Sequence, residues 1–311
     1  MSPRGLMVIA FGGPHRSEDI RPFLRDVLAG RPVPEERFES VVHHYELLGG
    51  RSPITEHTEG QAQALGAELA RRGVTLPVRV GMRHWSPWLQ DTLATFQREG
   101  VDEVLGLIMA AQETEASLAR YQEAVAKAQA ALGPGAPRVR YVTGWGLDEG
   151  VIETHACNLA RGLARMPLGD RERASLLFTA HSIPSAMAAE SPYVAQLEET
   201  AARVAEKVGV RTQRLVYQSR SGSPRDPWLE PDVLDALQAE AERGVTDVVL
   251  APIGFLCDHV EVLYDLDIEA KQKADELGLR VWRVATPGSH PAFIAALASR
   301  VVQALAQPPG G

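Results

Sequence analysis

The sequence contains one strand-and-helix pattern twice, and this repetition limits the chain to a fold of two similar halves. The string GLMVIAFGGP, which ends at Pro14, is similar to ASLLFTAHSIP, which ends at Pro184. Residues 78–109 are similar to residues 215–255, because each stretch has a strand, a helical pattern and a second strand in that order. Strands that alternate with helical crossovers form parallel sheets, so we predict one such sheet in each half.

The repeat predicts an α/β protein of two similar Rossmann-like domains, each a parallel sheet flanked by helices. The halves are expected at residues 1–145 and 146–311, and Trp88 of the first is matched to Trp228 of the second. In open parallel sheets, ligands bind beyond the carboxyl ends of the strands. We therefore expect the active site in a cleft between the two domains.

Composition excludes several classes of protein. The chain has 311 residues and a net charge of −8, which argues against a nucleic-acid partner. No apolar run reaches the ~18 residues of a transmembrane helix, and we predict a cytoplasmic protein. Two cysteines, Cys157 and Cys257, are too few for a disulfide scaffold or a four-cysteine iron–sulfur cluster. Gly12 and Gly13 lack the rest of a dinucleotide-binding fingerprint.

Polar side chains follow several of the predicted strands directly. His15 follows the first strand, His84 the second, His181 the strand at 176–180, and Glu261 the strand that ends near residue 255. A lone histidine at a strand end is usually a hydrogen-bonded structural residue, but several at the same edge favour a binding site. Imidazole with carboxylate suits divalent iron, zinc or nickel.

The stretch after the last of these strands carries an acidic row. Glu261, Asp265 and Glu269 are spaced at i, i+4 and i+8, so a helix would place them on one face, with His259 beside them. A row of this kind is most often a hydrated helix face. Its position just after a buried strand favours a functional role instead.

Five longer strings carry a resemblance to a known family. They are YELLGGRSPITEHTEGQA from Tyr45, GMRHWSPWLQD from Gly81, LLFTAHSIP from Leu176, PWLEPDVLD from Pro227 and PIGFLCDHVEVLYDLDIEA from Pro252. Together with the opening strand they run through nearly the whole chain. The sequence resembles the ferrochelatases of the compact bacterial type, which insert ferrous iron into a porphyrin.

The resemblance implies a chelatase-type fold with the porphyrin held between two domains. It assigns the catalytic pair to His181 and Glu261, which we expect to face each other from opposite halves. The same pair, with Asp265 and Glu269, matches the metal-binding residues of the family. Fe²⁺ is then a substrate, with no permanently bound cofactor and no iron–sulfur cluster.

The resemblance also implies partners for the porphyrin carboxylates. Arginine, tyrosine and serine at the matching positions can all donate hydrogen bonds to carboxylates. The chain departs from the coproporphyrin-using branch at His15, where that branch often has a tyrosine able to ligate iron, and at His44, where it often has arginine. The implied porphyrin-binding set is His15, Arg31, His44, Tyr45, Ser52, His84 and Tyr121.

Several alternatives remain open from the sequence. Coproporphyrin III is favoured as the substrate, with protoporphyrin IX as the alternative, because Met82-Arg83-His84 departs from the Met-Arg-Tyr of the protoporphyrin branch. Cobalt or nickel insertion is a further alternative, since His and Glu do not select iron by themselves. A non-catalytic haem- or metal-carrying protein would be favoured by His15 as an axial ligand. We expect a monomer, with weak membrane association possible.

Overall fold

The computed structural model describes residues 4–211, 213–221 and 226–307. These residues form two four-stranded parallel sheets. The strands of the first sheet are β1 (Arg4–Ala10), β2 (Val78–Met82), β3 (Glu103–Ile108) and β4 (Arg138–Val142). Those of the second are β5 (Ser175–His181), β6 (Gln213–Gln218), β7 (Asp247–Ala251) and β8 (Arg280–Arg283).

The two sheets have the same topology. The strand order is β2-β1-β3-β4 in the first and β6-β5-β7-β8 in the second, and all neighbours are parallel. Ala10 of β1 pairs with Met82 of β2, and the equivalent residue of β5, Ala180, pairs with Tyr217 of β6. The first two strands of each half therefore also agree in register. The predicted fold class, two similar parallel-sheet domains flanked by helices, is confirmed.

One detail of the predicted repeat is wrong. Trp88 does not correspond to Trp228, because Trp88 bridges the end of β2 at Met82, whereas Trp228 bridges Pro184. The structural counterpart of Trp88 is Asp232, which bridges Tyr217 at the end of β6 and precedes the equivalent helix. Sequence similarity was misleading here because both halves contain the dipeptide Pro-Trp at different distances from the strand.

Helices connect the strands and cover the sheets. Those before β5 are α1 (Ile20–Leu28), α2 (Glu35–Leu47), α3 (Ile54–Arg71), α4 (Leu89–Arg98), α5 (Glu115–Leu132), α6 (Glu149–Ala164) and α7 (Leu168–Arg171), with a 3₁₀ turn at Ser17–Asp19. The later ones are α8 (Ser185–Ala189), α9 (Tyr193–Val208), α10 (Val233–Glu242), α11 (Val260–Val262), α12 (Ala270–Glu276) and α13 (Pro291–Ala306). A π-helical segment, Leu263–Glu269, joins α11 to α12.

The burial of the strands agrees with their positions in the sheets. All six residues of β3 and all five of β7 are buried, as expected for central strands of a sheet covered on both faces. In the second sheet, one core contains Phe178 and Leu197 of α9, and the core on the other face contains Leu250 and Leu237 of α10. Continuous apolar runs therefore became strands here, and amphipathic stretches became the covering helices.

By contacts, the chain separates into two compact units. The first contains the chain up to Ala110, Ala116–Trp145 and the stretch from Ile294, and the second contains Ala111–Glu115 and Gly146–Phe293. The division predicted from the sequence, 1–145 and 146–311, stays a prediction, and the stretch from Ile294 groups with the first unit. Within the described residues, no helix is long and apolar enough to cross a membrane.

Charged residues at the start of β7 and β8 are paired in the second unit. Asp247 is 1% exposed and accepts hydrogen bonds from the Arg280 guanidinium at 2.6 Å, Trp282 Nε1 at 2.9 Å and Thr246 Oγ1 at 2.8 Å. Burial opposes the charge on Asp247, but these donors outweigh it and lower the pKa of the carboxyl. This network lies at the amino ends of the strands, and the carboxyl ends carry different groups.

We expect Asp247→Ala to lower the free energy of unfolding by about 2–3 kcal/mol, because it leaves the Trp282 indole without its acceptor. Urea unfolding at pH 7 measures this change. Asp235→Ala, at an exposed position of α10, is the control and should change stability by less than about 0.5 kcal/mol.

The depressed pKa of Asp247 also fixes the sign of the pH dependence. Its contribution to stability is present above the unfolded pKa of about 4 and is lost as pH falls through the folded value. The difference between wild type and Asp247→Ala should therefore shrink in acid. An equal difference at pH 7 and pH 3 would contradict this assignment.

Candidate active site

His181 is the last residue of β5, at the carboxyl end of the second sheet. Its backbone is fixed from two sides, because Tyr193 Oη donates to the His181 carbonyl at 2.9 Å and the next amide, of Ser182, donates to the Gln218 carbonyl at 2.7 Å. Ser182 Oγ donates to the Leu229 carbonyl as well. The imidazole therefore projects from a rigid strand end and not from a mobile loop.

Glu261 reaches this strand end because the chain after β7 passes very close to β5. Gly254 donates its amide to the Thr179 carbonyl at 3.1 Å, and a Cβ at Gly254 would lie 2.6 Å from the Ala180 Cβ. No side chain fits at that distance, so the sequence needs glycine at this point. The chain then turns into α11, whose second residue is Glu261.

The two side chains meet at the edge of the sheet. His181 Nε2 lies 3.5 Å from Glu261 Oε1, and His259 Nδ1 lies 3.9 Å from Glu261 Oε2. The side chains of His181 and Glu261 are 29% and 47% exposed, so solvent reaches the pair. Burial disfavours both charges, but their mutual attraction outweighs it, which raises the pKa of His181 and lowers the pKa of Glu261.

Hydrogen bonding determines which imidazole nitrogen is available for chemistry. His181 Nδ1 lies 2.5 Å from the Ser182 carbonyl oxygen. A carbonyl can only accept, so Nδ1 carries a proton in either charge state. Nε2 is therefore the nitrogen that gains or loses a proton, and it is also the nitrogen that faces Glu261.

The acidic row lies on a helix, but not on a regular α-helix. Its central part is the π-helical segment, and such segments are frequent at functional sites. Asp265 is 9% exposed, whereas Glu261 and Glu269 are exposed, so the hydrated-face alternative does not describe Asp265. Burial, with the nearby Glu261 and Glu269 carboxylates, raises the pKa of Asp265 to about 7, although the Ser219 hydroxyl opposes this shift.

One expectation about the pair is wrong. His181 and Glu261 do not come from opposite halves of the chain, because both belong to the second unit. Within the part of the chain that the structure describes, no group of three or more His, Cys, Asp or Glu side chains forms a metal-binding cluster. The four predicted metal residues thus do not surround one point, and Glu261, Asp265 and Glu269 follow one another along the helix.

Sequence reasoning missed two residues that hold this row. Gln218, 1% exposed at the end of β6, donates from Nε2 to the Glu261 carbonyl at 3.0 Å and to Asp265 at 3.4 Å. Ser219 donates its hydroxyl to Asp265 and has a left-handed backbone with φ 61°, which is uncommon for a residue other than glycine. Their place at the carboxyl end of β6, next to β5, is the signal that could have identified them.

The seven predicted porphyrin-binding residues all belong to the first unit. His15 and Ser52 lie near the end of β1. His15 Nε2 is 3.3 Å from Thr55 Oγ1, and the Ser52 amide donates to the Pro14 carbonyl. A Cβ at Gly13 would lie 2.6 Å from the Ser52 Cβ, so this glycine permits the close approach.

Aromatic rings form a second group in the first unit. The Phe23 ring is 6.0 Å from Tyr45 and 6.2 Å from Trp85, both edge-on. Tyr45 and Trp85 pack against a small core that contains Phe23 and Val42. Trp85, which follows the end of β2, thus has a structural role in this core.

The remaining predicted residues differ in their surroundings. Arg31 is exposed and donates to the carbonyls at the end of α1. Burial, with the nearby Arg37 and His43, lowers the pKa of His44 to about 4, so His44 is neutral at pH 7. His84 is 7% exposed, and its Nδ1 is 2.7 Å from Asp26 Oδ2. The Arg83 guanidinium lies 5.7 Å above the Tyr121 ring.

Two surface cavities in the first unit do not mark this set. One, of about 680 Å³, lies along the edge strand β2, and the other, of about 390 Å³, is lined by Arg83, Trp88 and Lys127 among others. None of the seven predicted residues lines either cavity. The two cavities and the predicted porphyrin-binding set are therefore lined by different residues of the first unit.

Comparison with known proteins finds one family that is similar to this chain over nearly its whole length. The family model named Ferrochelatase matches residues 3–305. A coproporphyrin III ferrochelatase of Nocardia farcinica is 42% identical over 301 residues, with 94% of this chain and 86% of the relative covered. One from Mycolicibacterium vanbaalenii is 40% identical, with 94% and 87% covered.

Solved structures show the same fold at low identity. SirB from Bacillus subtilis with Fe³⁺ is similar with a TM-score of 0.59 at 14% identity, covering 98% of this chain and 96% of that one. CbiX, the terminal enzyme for biosynthesis of siroheme in denitrifying bacteria, gives 0.57 at 15% identity, covering 97% and 100%. The family model and the relatives cover nearly the whole chain, so the chain belongs to the ferrochelatase family of porphyrin metal chelatases, as its sequence predicted.

Proposed function

We propose that this protein inserts ferrous iron into coproporphyrin III during haem biosynthesis. The observation that carries the proposal is the His181–Glu261 pair, with Nε2 facing the carboxylate at 3.5 Å on a rigid strand end. The ~40% identity to coproporphyrin III ferrochelatases supports the choice of substrate. Protoporphyrin IX is the substrate against which this choice is tested.

Metal insertion needs a base, because two pyrrole protons leave as Fe²⁺ enters the ring. In the proposed reaction, His181 Nε2 accepts the two pyrrole protons one after the other and passes the first to the acidic row or to water before it accepts the second, and the Glu261 carboxylate stabilises each imidazolium that results. The Glu261 carboxylate raises the pKa of His181 and so favours its protonated form, whose Nε2 proton must leave before the imidazole can act as a base. An approaching dication favours that loss, since a nearby positive charge lowers the pKa of an imidazole.

The acidic row of Glu261, Asp265 and Glu269 is proposed to conduct the released proton away from the site, or the incoming iron toward it. Asp265 has a pKa of about 7, so near neutral pH it can both accept and release a proton. It lies between Glu261, at the pair, and Glu269, which is exposed. We propose that these three carboxylates form a relay, with Gln218 and Ser219 holding its centre.

The porphyrin carboxylates are proposed to bind residues of the first unit. Arg31 supplies a permanent and exposed cation for a propionate. His44, neutral at pH 7, can donate a hydrogen bond but adds no charge. Ser52, Tyr45 and Tyr121 have hydroxyl groups that serve the same purpose. His15 is proposed as a ligand of the product iron.

Some features of this proposal come from the sequence alone. Fe²⁺ enters as a substrate, and we propose no permanently bound cofactor and no iron–sulfur cluster, in keeping with two cysteines in the chain. We also propose a monomer that works in the cytoplasm with at most weak membrane association. The binding of porphyrin between the two halves is likewise a proposal.

Substrate choice is tested by anaerobic metalation with Fe²⁺, followed by absorption spectroscopy. We expect kcat/KM for coproporphyrin III to exceed that for protoporphyrin IX by at least about tenfold, because coproporphyrin III carries extra propionates where protoporphyrin IX carries vinyl groups. Many equivalents of product per protein should form. A single equivalent would indicate a carrier, and a preference for protoporphyrin IX would reject the proposed substrate.

His181→Ala is expected to lower kcat by about 100-fold or more, since general base catalysis typically contributes that much. KM for coproporphyrin III should change by less than about threefold, because the imidazole is proposed to act on the ring protons. His43→Ala, at an exposed histidine of α2, is the matched control and should retain full kcat. Turnover near the wild-type rate in His181→Ala would rule out the proposed base.

Glu261→Gln removes the charge that raises the pKa of His181. Burial then acts unopposed by Glu261, so the imidazole should titrate at lower pH than in the wild type. Histidine chemical shifts measured by NMR across pH 5–9 follow this titration in the porphyrin-free protein. An unchanged or higher pKa for His181 in the variant would show that the two groups are not coupled.

A further inference from the structure

Arg283, the last residue of β8, contacts carboxylates on both sides of Glu261 along the chain. Its Nη1 and Nη2 donate to the two oxygens of Asp258 at 3.2 and 2.9 Å, which is the two-pronged geometry that arginine forms with carboxylates. Its Nε lies 2.5 Å from Oδ1 of Asp267, in the π-helical segment. One guanidinium therefore joins two points of the chain that enclose the catalytic carboxylate.

The loop after β8 supports this arrangement. Thr286 Oγ1 donates to Asp258 Oδ1 at 2.9 Å, and the Gly288 amide donates to the Leu256 carbonyl at 2.9 Å. The loop itself is held by α6, because Asn158 Nδ2 donates to the carbonyls of residues 285 and 286 at 3.1 and 3.0 Å. The chain just before Glu261 is thus fixed by contacts that originate in a long helix.

Partial burial makes the contact of Arg283 with Asp258 stronger than a surface ion pair. The side chain is 20% exposed, and those of Asp258 and Asp267 are 25% and 36% exposed. Ion pairs on an open surface contribute little, but pairs shielded from water interact more strongly. Lysine could not replace Arg283 fully, because a single ammonium cannot reproduce the planar fork that holds Asp258.

We propose that Arg283 is a positioning residue for metal insertion, which holds residues 258–267 so that Glu261 faces His181. This inference rests on the proposed function. The His181–Glu261 contact, at 3.5 Å, is already long for a hydrogen bond, so a small outward movement of the segment would separate the two groups. Misplacement of catalytic groups by about 1 Å can cost about 100-fold in rate.

The same strand provides a matched control. Arg280, at the other end of β8, also contacts two carboxylates, Asp170 at 2.9 Å and Asp247 at 2.6 Å. It lies at the amino end of the strand, away from His181 and Glu261. Loss of either arginine removes the same kind of ion-pair network, but only the loss of Arg283 releases residues 258–267, which contain Glu261.

The experiment compares Arg283→Gln with Arg280→Gln in the full chain, using Fe²⁺ and coproporphyrin III. We expect both variants to have a lower Tm. Only Arg283→Gln should lower kcat, by about tenfold or more, with KM for coproporphyrin III within about twofold. Arg283→Lys keeps the charge but not the fork, and should recover only part of the lost kcat.

Wild-type kcat in a folded Arg283→Gln protein, or an equal loss in Arg280→Gln, would overturn the inference. If Arg283→Gln does not fold, Asp267→Asn decides, because it keeps the fork to Asp258 and frees only the π-helical segment. A decrease in kcat is then expected, and an unchanged kcat overturns the inference. Failure of the wild type to metalate coproporphyrin III would instead count against the proposed function.

Discussion

An imidazole and a carboxylate 3.5 Å apart, both partly open to solvent, form the interaction that the second unit is arranged to maintain. Each partner alone would favour its neutral form on burial, and only together do they keep both charges. Maintaining this pair needs two chain segments at a nearly fixed separation. The second unit achieves this with a strand end for His181 and with the close passage of Gly254 against Ala180 for Glu261.

Buried carboxylates have different hydrogen-bond donors at the two ends of the second sheet. At the amino ends, the buried carboxylates of Asp247 and Glu240 receive arginine donors, and Asp247 has a lowered pKa. At the carboxyl ends, buried Asp265 accepts from the Ser219 hydroxyl and the Gln218 amide, with no arginine donor among the described residues, and its pKa is raised to about 7. Fully paired charges stabilise a fold, whereas incompletely paired ones are available to exchange protons.

Much of this arrangement could be predicted from the sequence, because its signals are local. Alternation of apolar strands with amphipathic helices identifies the sheets, and polar residues after the strands make His181 and Glu261 candidates, whereas their choice as a pair came from the family resemblance. The π-helical segment could not be predicted, since the spacing of Glu261, Asp265 and Glu269 suits any helix. Gln218, Ser219 and Arg283 were missed for a different reason, because their roles depend on contacts between distant parts of the chain.

The raised pKa of His181 has a consequence for the order of events. In the proposed reaction, the attraction to Glu261 that raises the pKa of His181 opposes its use as a base, because a protonated Nε2 cannot accept a pyrrole proton. Fe²⁺ near Glu261 would compete with the imidazolium for the carboxylate and would remove the attraction that raises this pKa. Arrival of the metal would then generate the base. In the proposed reaction, proton removal from the porphyrin would thus be linked to the presence of the ion that replaces the protons, and the contacts that hold Glu261 in place would support this link.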